Sequence, residues 1–153
     1  MISPEQLRRF SLFAGLDPGI FKDLAMISEE VRFAEGEWLF HERDEADAVY
    51  LVLSGTVDLT IDLDKEGKRH ADLGTLIEGE MLGYSGVVQP YIYGLGCVAS
   101  SDARLVKMDA GRLRELMAQK PEQGLVLMGQ VAQVIKTRLT NLRIRFISMT
   151  EMD

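Results

Sequence analysis

The chain has one cysteine, Cys97, so no intrachain disulfide can form, and its cysteine usage fits a reducing compartment. It has two histidines, His41 and His70, and no His-x-His pair, which leaves few ligands for a metalloenzyme centre in an all-β frame. No run approaches the ~18 apolar residues of a membrane-spanning helix. The opening MISPEQLRR lacks the apolar core of a secretion signal, so the expected location is cytoplasmic. Basic residues number 17 against 24 acidic ones, and the net charge of -7 opposes non-specific binding to nucleic acid or an anionic membrane. The most telling absence is local. Residues 82–101 (LGYSGVVQPYIYGLGCVASS) carry no charged side chain.

What is present reads as one domain over residues 1–153, long enough to bury a core. Residues 1–30 carry helix signals: Ser3-Pro4-Glu5-Gln6 is a capping start, and Asp17-Pro18 is read as a second one. Residues 31–108 change to short apolar runs separated by Gly and acidic turns. Strands are expected at 31–33, 38–41, 49–53, 56–63, 69–76, 97–100 and 104–108, with Val57, Leu59, Ile61 and Leu63 facing inward. The fold class is mainly β with flanking α, an antiparallel β-roll of jelly-roll type with N-terminal helices and a C-terminal helix pair.

Residues 109–153 return to helical period, with Asp109 as a cap and Pro121 opening a longer helix. In that helix Met128, Ala132, Ile135, Leu139, Leu142, Phe146 and Met149 recur in steps of four and three, a heptad seam. Leu127, Val131 and Val134 form a second stripe beside it. One stripe is expected to bury against the chain's own domain and the seam against a second copy, giving a homodimer. Gly124 and Gly129 weaken the helix by about 1 kcal/mol each and are read as a place for a bend. Lys136, Arg138, Arg143 and Arg145 are read as complementing the helix dipole rather than as a nucleic-acid surface.

The order of these elements resembles the ligand-binding domain of the catabolite-activator (CRP/FNR) and cyclic-nucleotide-binding superfamily. The resemblance is carried by Phe13-Ala14-Gly15-Leu16, by Phe33 to Phe40 (FAEGEWLF), by Asp47 to Val57 (DAVYLVLSGTV), by Gly79-Glu80-Met81-Leu82-Gly83, and by Val98-Ala99 with Leu105 to Asp109 (LVKMD). It covers nearly the whole chain, and its glycines specify the fold rather than an activity.

The resemblance implies a phosphate-binding cassette at residues 79–99, with a ribose-binding Glu after the glycine at Gly83 and a phosphate-binding Arg near Ile92 or Tyr93. Here the first position is Tyr84, and no Arg lies between Arg69 and Arg104. An anion buried without a counter-charge costs several kcal/mol. A cyclic nucleotide is therefore disfavoured, although Arg69 or Arg104 is a charge that could reach the site from elsewhere. The expected pocket is a degenerate cassette of Gly83, Tyr84, Ser85, Gly86, Val87, Ile92, Tyr93 and Gly94. Its tyrosines either line a site for a neutral or aromatic ligand, plug it, or pack on the second stripe of the long helix. No catalytic or metal-ligating residue is identified, and haem on His70 or Cys97 is a minor alternative. The resemblance implies a non-enzymatic regulatory domain, with a protein-interaction module or a non-standard cyclic-nucleotide receptor as alternatives. Transcription factors of this superfamily carry a helix-turn-helix domain after the long helix. The sequence ends at Asp153, so DNA binding by this chain alone is not expected.

Overall fold

A computed structural model describes residues 1–151. α1 (Pro4–Arg8) starts in a reciprocal capping box: the Gln6 amide donates to Ser3 Oγ and the Ser3 amide to Gln6 Oε1, at 3.2 and 2.9 Å. A 3-10 turn (Ser11–Phe13) leads to α2 (Ile20–Met26). Asp17 does not cap α2. A turn through Pro18 and Gly19 moves the helix start on, Gly19 takes the cap position, and the Asp17 amide donates instead to Gln123 Oε1 at 2.7 Å.

The strands are β1 (Ser28–Phe33), β2 (Trp38–Phe40), β3 (Ala48–Ser54), β4 (Val57–Asp62), β5 (His70–Leu76), β6 (Met81–Leu82), β7 (Gly96–Ala99) and β8 (Ala103–Asp109). They form two antiparallel four-stranded sheets, ordered β1-β8-β3-β6 and β2-β7-β4-β5. This is the expected roll. The turn between β3 and β4 requires Gly55: its φ is +80°, and a Cβ there would lie 2.2 Å from the Asp102 carbonyl oxygen.

β3 shows why the roll needs helices on one side. Val49 and Leu51 belong to a core shared with the helices, whereas Ala48, Tyr50 and Val52 belong to a second core inside the roll. β8 divides in the same way, with Val106 and Met108 on the helical side and Ala103 and Leu105 inside. A strand buried on both faces reads as an unbroken apolar run.

The inward alternation expected for β4 stops half-way. Val57 and Leu59 are buried, but Ile61 and Leu63 are exposed and Thr60 is buried. Leu73 of β5 is left without a partner at the Leu59–Thr60 step, and beyond Thr60 β4 pairs with β5 alone, outside the body of the sheet.

Asp109 caps α3 (Ala110–Gln119) by accepting from the Arg112 amide at 2.9 Å. α4 (Pro121–Glu151) runs without a break past Gly124 and Gly129, contrary to the bend expected there. Gly124 serves packing instead: a Cβ would meet the Met117 carbonyl oxygen at 2.9 Å, so its absence lets α4 cross close over α3. The two stripes of α4 do not separate as expected. Leu127 and Val131 are buried, and Val134 packs on the helical core, but Met128 and Ile135 pack on that core too. Ala132 is exposed. The uncovered apolar surface begins at Leu139 and continues through Leu142, Phe146 and Met149, with Ile144 and Ile147 beside them. The seam is therefore shorter than its sequence repeat, because the domain itself uses the first half of both stripes.

Candidate functional site

β6 delivers the chain to Gly83 in the left-handed region, φ +78° and ψ 30°. A Cβ at Gly83 would lie 3.0 Å from the Ala48 carbonyl oxygen and 3.4 Å from the Tyr93 ring. A 3-10 turn (Tyr84–Val87) follows, and Gly86 within it fits against Val49 and Ala110. The chain then loops through Tyr91 and Ile92, where Ile92 forms an isolated bridge to Glu45, and returns in β7.

Tyr93 points into the roll and is 3% exposed. Its ring stacks on Phe40, centroids 3.7 Å apart, and Phe40 in turn stacks on Tyr50 at 6.0 Å. Its hydroxyl donates to the Ala48 carbonyl at 2.5 Å and accepts from the Ala48 amide at 3.3 Å. Burial, followed by the neighbouring Tyr50, pushes its phenol well above the usual range. The position near which the resemblance places a phosphate-binding Arg thus carries an aromatic ring that fills the interior.

The three cassette tyrosines occupy three environments. Tyr84 packs against the helical core, with Arg138 of α4 over its ring. Tyr93 does not, because it lies inside the roll. Tyr91 lies under the Arg114 guanidinium, 4.0 Å from its ring centroid, and Arg114 also donates to the Gly86 carbonyl at 2.6 Å.

A cleft of about 520 Å³ opens between the roll and α4. Leu59, Leu73, Leu76 and Leu95 line one side, and Val134, Ile135, Arg138 and Leu142 the other. Of the eight cassette residues expected to form a pocket, only Tyr84 lines this cleft. Gly83, Gly86, Val87 and Tyr93 are buried structural positions, and Ser85 is half-buried. Gly94 is exposed, and Ile92 faces a separate groove with Arg43, Asp47 and Arg114.

Two cations line the cleft, Arg138 and Arg145, and both come from α4. Arg138 is half-buried, donates to the Met81 carbonyl at the end of β6, and holds its guanidinium 5.6 Å from the Tyr84 ring centroid. Among the described residues no carboxylate lies within 4.0 Å of it. Burial lowers its pKa, against the pull of Tyr84 and Glu80. Assigning Arg138 to the helix dipole missed this contact. Its spacing four residues after Val134, a member of the stripe that meets the domain, was the available signal. Arg104 is not the alternative charge, because it pairs with Glu30 at 2.8 Å across β1 and β8. Arg69 lies on the exposed β4–β5 hairpin.

The histidines, distant in sequence, both pack on Trp38, at ring distances of 4.5 and 4.9 Å, and His70 Nδ1 lies 3.0 Å from Asp62 Oδ1. Among the described residues no group of His, Cys, Asp and Glu is placed to hold a metal ion. Cys97 is fully buried, and burial pushes its thiol up to about 12. No helix among the described residues is long and apolar enough to cross a membrane.

The family profile described as Cyclic nucleotide-binding domain matches residues 30–120, more than half of the chain. The chain belongs to that family. A crystal structure named for cyclic nucleotide binding, from Geobacter metallireducens GS-15, is 35% identical with a TM-score of 0.82, over 91% of this chain and 99% of that one. The CRP-like cAMP-activated global transcriptional regulator of Mycobacterium tuberculosis (strain CDC 1551 / Oshkosh) is 27% identical over 143 residues, 90% of this chain. The chain spans 61% of that relative's length. The potassium channel KAT1 of Oryza sativa subsp. japonica is 25% identical over 136 residues, 86% of this chain and 18% of the channel. The mycobacterial relative is named as a transcriptional regulator and the rice relative as a potassium channel.

Proposed function

We propose that this chain is a non-enzymatic sensor domain with a degenerate, uncharged cassette, and that α4 joins two copies of it. The observation that carries the reading is the double use of α4. Val134, Ile135 and Arg138 form a wall of the cleft, Leu139 and Leu142 border it while still exposed, and Phe146 continues the uncovered apolar stripe on the same helix. A change in the cleft is thereby delivered to the seam without any further element. Activation by cAMP belongs to the mycobacterial relative. Here Tyr84 stands where the resemblance implies a ribose-binding Glu and no Arg lies near Ile92 or Tyr93, so cyclic AMP and cyclic GMP are not expected to bind tightly in the family's manner.

Calorimetric titration with both nucleotides tests the cassette, and heat at micromolar concentration would restore a cyclic-nucleotide receptor. Light scattering tests the seam. Wild type is expected to be a dimer and Leu139→Asp a monomer, because a charge buried at the seam is costly. A monomeric wild type removes the seam.

A second reading, an interaction module without a small ligand, is favoured by the Tyr93–Phe40 stack that fills the cassette interior. It predicts a stable dimer that no small molecule perturbs.

A further inference from the structure

We infer that Trp38, His41, Asp62 and His70 form a proton-operated latch that holds the β4–β5 ribbon against the loop after β2, and that acid tightens it. The inference does not depend on the cassette or the seam. Beyond Thr60 the ribbon pairs only with itself, and Ile61 and Leu63 on it are exposed. A two-stranded ribbon with little apolar cover is marginal by itself, so its polar ties decide whether it stays down. Glu42 of the loop accepts from the Asp62 amide at 2.7 Å, and Arg43 donates to Asp62 Oδ2 at 3.2 Å. Asp62 Oδ1 lies 3.0 Å from His70 Nδ1. The Asp62 side chain is 12% exposed and that of His70 27%, so solvent screens this pair less than a free surface pair.

The Trp38 indole joins the two sides. It lies over Gly96, where a Cβ would come within 3.1 Å of its ring. His41 of the loop stacks on it at 4.5 Å, and His70 of the ribbon meets it at 4.9 Å, tilted by 52°. An imidazole gains charge between about pH 5 and 8, and an indole face attracts the cation so formed. Neutral His70 donates to ionised Asp62 from Nδ1, because a carboxylate only accepts; a second proton, on Nε2, turns that bond into an ion pair. The neighbouring charges set the direction. Asp62 and Glu42 are joined by Asp44, which accepts from the His41 amide, by Asp58, which accepts from Thr75, and by Asp72, paired with Thr60. Arg43 stands against them, while Lys68 and Arg69 sit at the exposed tip beside Asp64 and Glu66. Protons on the two imidazoles therefore relieve an excess of negative charge. The ribbon also reaches α4, where Arg145 donates to the Asp72 carbonyl at 3.4 Å, so its hold on the loop bears on the uncovered half of that helix.

Trp38 is the only tryptophan, so its emission reports the arrival of the protons in the full chain. Imidazolium quenches an indole that it touches, and emission is expected to fall as pH drops from about 8 to about 5.5. Amide hydrogen exchange over residues 61–71, corrected for the intrinsic effect of pH on exchange, reads the latch itself. Relative to β8, the ribbon is expected to be about threefold better protected at the acid end. His70→Gln and Asp62→Asn are each expected to lose that response while β8 stays protected, which shows that the fold is intact. His41→Gln is expected to lose part of the emission change and to keep the response of the ribbon. Ribbon protection that is equal at both pH values in wild type overturns the latch, whatever the emission does. So does a full response in His70→Gln or Asp62→Asn, or its loss in His41→Gln.

Discussion

Tyr93 and Tyr84 come from one charge-free run, residues 82–101, and meet different cores. Tyr93 is stacked, hydrogen-bonded at its hydroxyl and closed inside the roll; Tyr84 is half-buried, lies beneath a guanidinium and borders an open cleft. One aromatic has become structure, while the other remains available to a ligand. The lesson concerns the missing charge. The interior of the cassette is closed by the Tyr93 ring, while Arg138 of α4 borders the cleft outside it.

The sharpest way to break this comparison is to truncate both rings. Tyr93→Ala is expected to lose about 3–5 kcal/mol in urea unfolding, as other buried aromatics do. Tyr84→Ala is expected to lose about 1 kcal/mol and to change ligand binding more than stability. Equal losses would dissolve the distinction.

Next in size is Gly83→Ala, expected to cost about 1–3 kcal/mol, because its positive φ and the nearby Ala48 carbonyl both resist a methyl group. Gly94→Ala has open space and a negligible expected cost, which isolates strain from composition.

Tyr93→Phe is expected to cost about 1–2 kcal/mol through the lost bond to Ala48. It also tests the alkaline limb. Burial raises Tyr93 and holds Tyr50 up at about 12, while the unfolded chain ionises its phenols near 10. The stability these groups contribute is complete below the unfolded value and is lost as pH climbs through the folded ones. Thermal melts from neutral to alkaline pH should show a shallower decline in Tyr93→Phe than in wild type.

The smallest expected effect contrasts two arginines. Arg104 holds the half-buried Glu30 carboxyl below its usual range. That contribution is present above the ordinary carboxylate pKa and fades as pH falls through the lowered one. In thermal melts from neutral to acid pH, Arg104→Ala is expected to flatten the acid limb slightly. Among the described residues Arg138 has no carboxylate within reach, so Arg138→Gln is expected to leave that limb as in wild type. Equal flattening in both would erase the contrast.

Most of the fold was legible in the sequence. The capping box at Ser3, the Asp109 cap, the Ser54-Gly55 turn and the apolar runs of β3 and β8 each use local rules of cap, φ and period. The errors came where local rules compete with distant partners. Asp17 looked like a cap, but α2 starts two residues later, with Gly19 at the cap position. Ile61 kept the right period on a ribbon that had already left its sheet. Met128 and Ile135 kept the heptad spacing while packing on their own domain.

By itself the sequence determined that the chain would form a β-roll between helices and that residues 82–101 would carry no charge. Both follow from residue type and spacing, which act within a few positions. Tertiary structure alone decided that Tyr93 would fill the roll, that α4 would divide into a buried half and an uncovered half, and that Arg138 would meet Met81 and Tyr84. Those outcomes depend on which surfaces meet after the sheets close and α4 docks across them. That geometry is set by packing between residues far apart in the chain, which no local period encodes.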